Sequence, residues 1–251
     1  MCKYITIICL ALWTTPVWAI GLIGPPKASL QKRQLAISGE WTRSNNALDL
    51  TIPSMFYATH AYPTMQEWLC TLSTGITDNV TAKVIVGALD PHISALSDME
   101  LNGLIVGLGA GITMWEKNNL SFGMAGQVLV HEWDSKHLMQ YEGLPIVLDC
   151  KREWMELLVG IGPTIELHPW SLYAGLCYYD LQGTIDVRYP AFFSWPMNNL
   201  RVEMESSNRV GDNIGYFFGT SLQINKHSSI KIESMDTGGT ERIGVGIEFR
   251  K

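Results

Sequence analysis

Leu104-Ile105-Val106-Gly107-Leu108-Gly109-Ala110-Gly111-Ile112-Thr113-Met114 decides the architecture. Every second residue, Leu104, Val106, Leu108, Ala110, Ile112 and Met114, is apolar, and the residues between include Gly107, Gly109, Gly111 and Thr113. Side chains two positions apart share a face only when the chain is extended. A helix would scatter the glycines around its axis, at about 1 kcal/mol each relative to Ala. The stretch therefore reads as a strand with one apolar face and one small, polar face.

The pattern continues in both directions. Asn118-Asn119 turns the chain into a strand with Leu120, Phe122, Met124, Val128 and Val130 on one face and Ser121, Gly123, Ala125 and Gln127 on the other. Met155, Leu157, Val159, Ile161 and Ile165 alternate with Glu156, Gly160, Gly162 and Thr164; after His168-Pro169, Leu172, Ala174, Leu176 and Tyr178 alternate with Ser171, Tyr173, Gly175 and Cys177. Ile214, Tyr216, Phe218 and Leu222 form another apolar face, followed by a turn at Asn225-Lys226-His227 and a strand through Ile230–Glu233. An earlier hairpin bends at Thr77-Asp78-Asn79, with strands near 35–41 and 242–250 at the two ends. The count is ten, and the expected fold is all-β: a closed, antiparallel, up-and-down transmembrane β-barrel. Short turns near 77–79, 116–119, 167–170 and 225–228 alternate with long polar segments near 43–65, 89–102, 132–152 and 180–212. Short periplasmic turns and long extracellular loops are what such barrels show.

Composition restricts the alternatives. Charged residues make up 17% of the 251 residues and hydrophobic ones 47%, against roughly 25% charged in soluble domains. No apolar run reaches the about 20 residues of a transmembrane helix. The N-terminus carries Lys3, an apolar core from Tyr4 to Trp13 and Val17-Trp18-Ala19, the layout of a cleaved signal peptide. The expected organisation is a signal peptide at 1–19, a periplasmic N-terminal segment at 20–33 and an outer-membrane barrel domain at 34–251. Cleavage would leave Cys70, Cys150 and Cys177. That odd number, without CxxC spacing, argues against a disulfide scaffold or a zinc site. The net charge of −6 provides no basic patch for nucleic acid.

Alternation alone does not distinguish lipid from a second sheet. Two features favour lipid. The face opposite the apolar one is rich in glycine, which relieves crowding inside a tightly curved barrel. Aromatic residues gather at strand ends: Trp41, Trp115, Trp133, Trp154, Trp170 and Tyr178 are the candidate interfacial belts. Val106, Leu108, Met124, Val159, Phe218 and Val245 are the expected lipid-facing residues. Glu40, Lys83, Glu156, Lys231, Glu233, Arg242 and Glu248 fall on the inner face. A soluble core could bury them only at high cost, whereas a polar lumen accepts them as a paired network. Acid–base contacts among them are expected, and a lumen plugged by them.

Gly75-Ile76-Thr77-Asp78-Asn79, the turn Trp115-Glu116-Lys117-Asn118-Asn119-Leu120 and the terminal strand with Ile243, Val245, Ile247 and Phe249 resemble bacterial outer-membrane proteins of the OmpA/OmpX-like small porin superfamily. In that family a terminal strand ending in an aromatic residue is read by the barrel-assembly machinery. Here Arg250 and Lys251 follow the Phe. The resemblance implies outer-membrane lipid and the assembly machinery as partners, and a structural, surface-exposed or narrow-channel role without catalysis.

Few residues carry chemistry. Gly107-Leu108-Gly109-Ala110-Gly111 lacks both the GxGxxG spacing and the following helix of a dinucleotide loop. The cluster His131-Glu132-Trp133-Asp134-Ser135-Lys136-His137 is not HExxH. No cofactor or metal is expected. A ten-stranded barrel with Asp and His at its rim is also similar to the omptin proteases, which would make His131, Asp134, Asp180 and Asp186 an acid/base set. The omptin Asp-Asp and Asp-His pairs are not recognisable here. The other alternative is a soluble secreted barrel with an apolar ligand inside, which would need the reverse face polarity.

Overall fold

A computed structural model describes residues 23–46, 48–52, 57–61, 64–92, 102–141, 144–188, 199–206 and 213–251. The described residues form thirteen strands: β1 (Leu35–Asn46), β2 (Leu48–Ile52), β3 (Tyr57–Ala61), β4 (Thr64–Thr77), β5 (Val80–His92), β6 (Asn102–Lys117), β7 (Leu120–Tyr141), β8 (Leu144–Leu167), β9 (Trp170–Arg188), β10 (Asn199–Ser206), β11 (Ile214–Asn225), β12 (Ser228–Asp236) and β13 (Thr240–Arg250). Ten of them close a ring in the order β1-β4-β5-β6-β7-β8-β9-β11-β12-β13, and β13 returns to β1. All ring pairings are antiparallel. Closure removes every ring edge, so each strand's backbone groups are satisfied without water, the condition for crossing lipid.

Several segments that read as long loops are largely strand. β7 and β8 pair without interruption up to Tyr141↔Leu144. The far end of β9 leaves β11 and pairs with β10, which pairs in turn with β2, and β2 with β3. The physical reason lies outside the bilayer. Where no lipid demands one apolar face, the sequence alternation fades while the ladder hydrogen bonds continue.

The outer surface fixes the position of the lipid. Val106, Leu108, Met124 and Phe218 are exposed, together with Leu72, Val84, Val130, Leu176 and Phe249. Val159 and Val245 point the same way and are half-buried by their neighbours. Trp115 also faces outward. The alternation by itself would turn it inward beside Thr113, but a β-bulge between Thr113 and Trp115 reverses its face. Trp41 packs on exposed Trp68 with ring centroids 6.3 Å apart. Further from the short turns, outward-facing Glu132, Lys151 and Glu153 form an ion-pair cluster. Hydrogen bonds that Lys151 donates to Glu153, then to Glu132, push its amine above its ordinary range. Such a cluster belongs in water, so on β7–β8 the apolar belt ends just short of His131↔Trp154. From Leu120 to that point is about the 9–11 residues that a tilted strand needs to cross.

Leu108 lies midway along the apolar face of β6 and is 66% exposed. Leu108→Arg is expected to lower stability in lipid vesicles by about 2–4 kcal/mol, the cost of a cation near the midplane. Urea unfolding of the vesicle-inserted protein measures it, and an unchanged midpoint would show that this face is not in lipid.

Candidate functional site

The lumen holds two groups of side chains. The first gathers around residues 23–33, part of the stretch expected as a periplasmic N-terminal segment; it is inside the barrel between Ile23 and Leu30 and exposed at residues 31–33. Ile23 and Gly24 donate their backbone N–H groups to Glu233 Oε1 and Oε2 at 2.8 and 2.9 Å, and Tyr173 Oη donates to Glu233 Oε2 at 3.1 Å. Lys83 Nζ donates to the Ile23 carbonyl at 3.0 Å. Further along, Ala28 N–H donates to Thr113 Oγ1 and Ser29 N–H to Thr81 Oγ1, at 3.0 and 3.1 Å. Lys27 pairs with Glu166 at 2.6 Å. Arg33 N–H donates to the Gly75 carbonyl at 2.9 Å, and Gly75 N–H to the Gln34 carbonyl at 3.0 Å. The inward glycines make room for this segment. A Cβ on Gly75 would fall inside the Gln31 carbonyl, and one on Gly123 would meet the carbonyls of Pro26 and Ile112.

Next to this segment, Glu248 accepts Lys231 Nζ on one oxygen and Arg250 Nε on the other, the latter at 2.6 Å. Glu40 accepts the Ser38 hydroxyl at 3.0 Å.

The second group sits nearer the other mouth. Glu67 on β4, His131 on β7, Glu156 on β8 and Arg242 on β13 are each at most 3% exposed. His131 Nε2 lies 3.3 Å from Glu156 Oε1 and its Nδ1 lies 3.9 Å from Glu67 Oε1. The far oxygen of each carboxylate is anchored by a neighbour: Thr42 Oγ1 donates to Glu67 Oε2, and Arg242 Nη2 to Glu156 Oε2, both at 3.3 Å. Trp154 stacks on the imidazole with centroids 5.2 Å apart, and the Arg242 guanidinium lies 4.7 Å over the Tyr179 ring.

The structure thus distributes the expected residues as follows. All seven inner-face charges point into the barrel, and Lys231–Glu248 and Arg242–Glu156 are ion pairs. Trp154 does not join an aromatic belt: it is 5% exposed and inside. The period of two requires this, since Trp154 shares its face with Glu156. Trp115 and Tyr178 are exposed and Trp41 and Trp170 half-buried, while the Trp133 side chain lies outside the described residues. His131 is not a rim residue with Asp partners. Its acidic neighbours are Glu67 and Glu156, whereas Asp180 and Asp186 lie on the opposite face from buried Tyr179 and Leu181. The Asp134 side chain is outside the described residues. Glu67 was missed because its strand alternates poorly, with buried Leu69 and exposed Leu72 close together; Thr71 and Ser73, buried on the Glu67 face, were the available signal.

No family model and no curated protein matches this sequence. Solved structures do match in fold. The outer membrane protease OmpT from Escherichia coli superposes with a TM-score of 0.51 at 7% identity, covering 87% of this chain and 97% of that one. The translocator domain of the autotransporter NalP from Neisseria meningitidis gives 0.47 at 9% identity, covering 88% and 90%. The attachment invasion locus protein Ail of Yersinia pestis gives 0.34 at 9% identity, covering 88% and 100%. The likeness to OmpT is one of fold, a barrel of the outer-membrane type, and the apolar outer face makes this barrel one that spans a membrane.

Proposed function

We propose that this outer-membrane barrel is a closed, surface-exposed structural protein and neither an open pore nor an enzyme. The observation that carries this reading is the occupied lumen, in which a cavity of about 310 Å³ remains beside Pro25, Lys27, Ala28 and Ser29 at the short-turn mouth. Residues 23–33 occupy one end through bonds to Glu233, Thr81, Thr113 and Gly75. Glu67, His131, Glu156 and Arg242 fill the section beyond. A barrel of about eight strands has an interior just wide enough for its own side chains, and the wider ten-stranded ring uses its extra space for an added chain segment, which leaves little room for solute. The same reading includes export by a signal peptide at 1–19, a Gram-negative source, and insertion by the barrel-assembly machinery through β13, whose Ile247 and Phe249 face outward.

Planar-bilayer recording on the purified full chain tests it. Little or no steady current is expected, and a large steady conductance would overturn the closed-barrel reading.

The omptin-like alternative draws on the contact between His131 and two carboxylates. It requires substrate to reach an imidazole that is 1% exposed, which is why the structural role is preferred.

A further inference from the structure

We propose that Glu67, His131 and Glu156 form a binding site for a divalent transition-metal ion of the Zn²⁺ class. One ligand atom from each residue lies within 4.8 Å of the other two. Two ligands about 2.0–2.1 Å from a tetrahedral ion stand about 3.3–3.4 Å apart, and His131 Nε2 and Glu156 Oε1 are 3.3 Å apart. Glu67 Oε1 lies 3.9 Å from the other ring nitrogen, Nδ1, and within 4.8 Å of the other two ligand atoms, so its carboxylate has to swing toward the Nε2 side to complete the set. One imidazole with two carboxylates is a donor set of intermediate hardness, suited to Zn²⁺.

The competing arrangement is an imidazolium bridging the two carboxylates. That would place an N–H···O bond at each ring nitrogen. Neither Nδ1 nor Nε2 of His131 makes a hydrogen bond, although the ring is 1% exposed. The imidazole presents one ring nitrogen to each carboxylate without a hydrogen bond to either, which leaves Nε2 available as a ligand atom beside Glu156 Oε1.

The surroundings are those of a metal site. Thr42 and Arg242 hold the distal oxygens of Glu67 and Glu156 and leave each proximal oxygen turned toward His131. Outer groups that fix ligand orientation in this way are the usual complement of a metal site. Trp154 stacked on the imidazole fixes the plane of the ring. The site lies level with the outward Glu132–Lys151–Glu153 cluster, so an ion reaching it from the long-loop mouth need not cross the lipid depth.

The test uses the full-length protein in detergent, stripped with a chelator that is then dialysed away. Zn²⁺ uptake is followed by equilibrium dialysis with elemental analysis. The wild type should bind one more ion per chain than His131→Ala. Glu67→Gln should weaken that site at least tenfold, since loss of even an outer-shell partner costs about 10–100-fold. A heat-modifiable gel shift confirms that each variant is folded. Equal uptake by wild type and folded His131→Ala would overturn the site and leave the imidazolium bridge. If the variants do not fold, Co²⁺ added to the stripped wild type decides the matter. A visible ligand-field absorption of tetrahedral intensity, displaced by Zn²⁺, supports the site, and its absence overturns it.

Discussion

Deletion of residues 23–33 is expected to turn the closed barrel into one that passes a steady ionic current. The segment occupies the lumen beside β4, β5, β6, β7, β8 and β12, and its backbone is held largely by side chains that belong to the barrel wall. Without it, Glu233, Lys83, Thr81 and Thr113 lose protein partners and turn to water. A lumen lined with hydrated polar groups conducts where a packed one does not. Planar-bilayer traces of the deletion variant and the intact chain, each verified as folded by heat-modifiable migration, give the comparison. Matching traces, both silent, would show that the charge network closes the barrel without the segment. Matching traces, both open, would show that the segment leaves a path around it.

Arg242→Met should destabilise the barrel by about 3–5 kcal/mol, the cost of leaving one buried ionic partner uncompensated. Arg242 is 3% exposed, donates to Glu156 at 3.3 Å and covers the Tyr179 ring. Its removal leaves Glu156 and Glu67 facing one another across His131 with one fewer positive charge nearby. Glu156→Gln in the same background should restore most of the loss, because the repulsion and the unpaired charge disappear together. Urea unfolding in vesicles measures both variants, and the coupling is read from the double-mutant cycle. A single-variant change within about 0.5 kcal/mol, the range of ordinary surface substitutions, would show that the guanidinium does not support Glu156.

The wall of the barrel was legible because lipid on one side and a crowded lumen on the other impose opposite demands on alternate residues. The run from Leu104 to Met114 satisfies both and cannot be mistaken for a helix. Inner-face charges such as Glu156 and Arg242 followed from the same parity. What escaped was whatever the parity does not encode. The bulge at Thr113/Trp115 shifts the count by one without any change in composition. The strands that continue past the bilayer lose their alternation along with their lipid. Glu67, His131 and Glu156 are far apart in the chain, and β7 lies between β4 and β8 only through strand order in a closed ring; no local spacing announces their meeting. Nor does anything in Ile23–Arg33 mark it as lumen filling. Its polarity suits a linker equally well, and the inward glycines at 75, 111, 123 and 160 reveal that space was reserved for it.

The seam between β1 and β13 joins Leu35 to Lys251 by reciprocal backbone bonds, and Ile23 is fastened to Glu233, 210 positions away. Contacts between such distant positions form against the largest chain-closure entropy, and topologies that depend on them fold slowly. The stretch of chain made first is therefore secured among the last. Until the ring shuts, Glu233 has no amide from Ile23 to receive, and β1 and β13 present two unpaired edges. Assembly accordingly amounts to wrapping: the wall must come round its own leading end, and a chain that shut first would have to be threaded from the short-turn mouth.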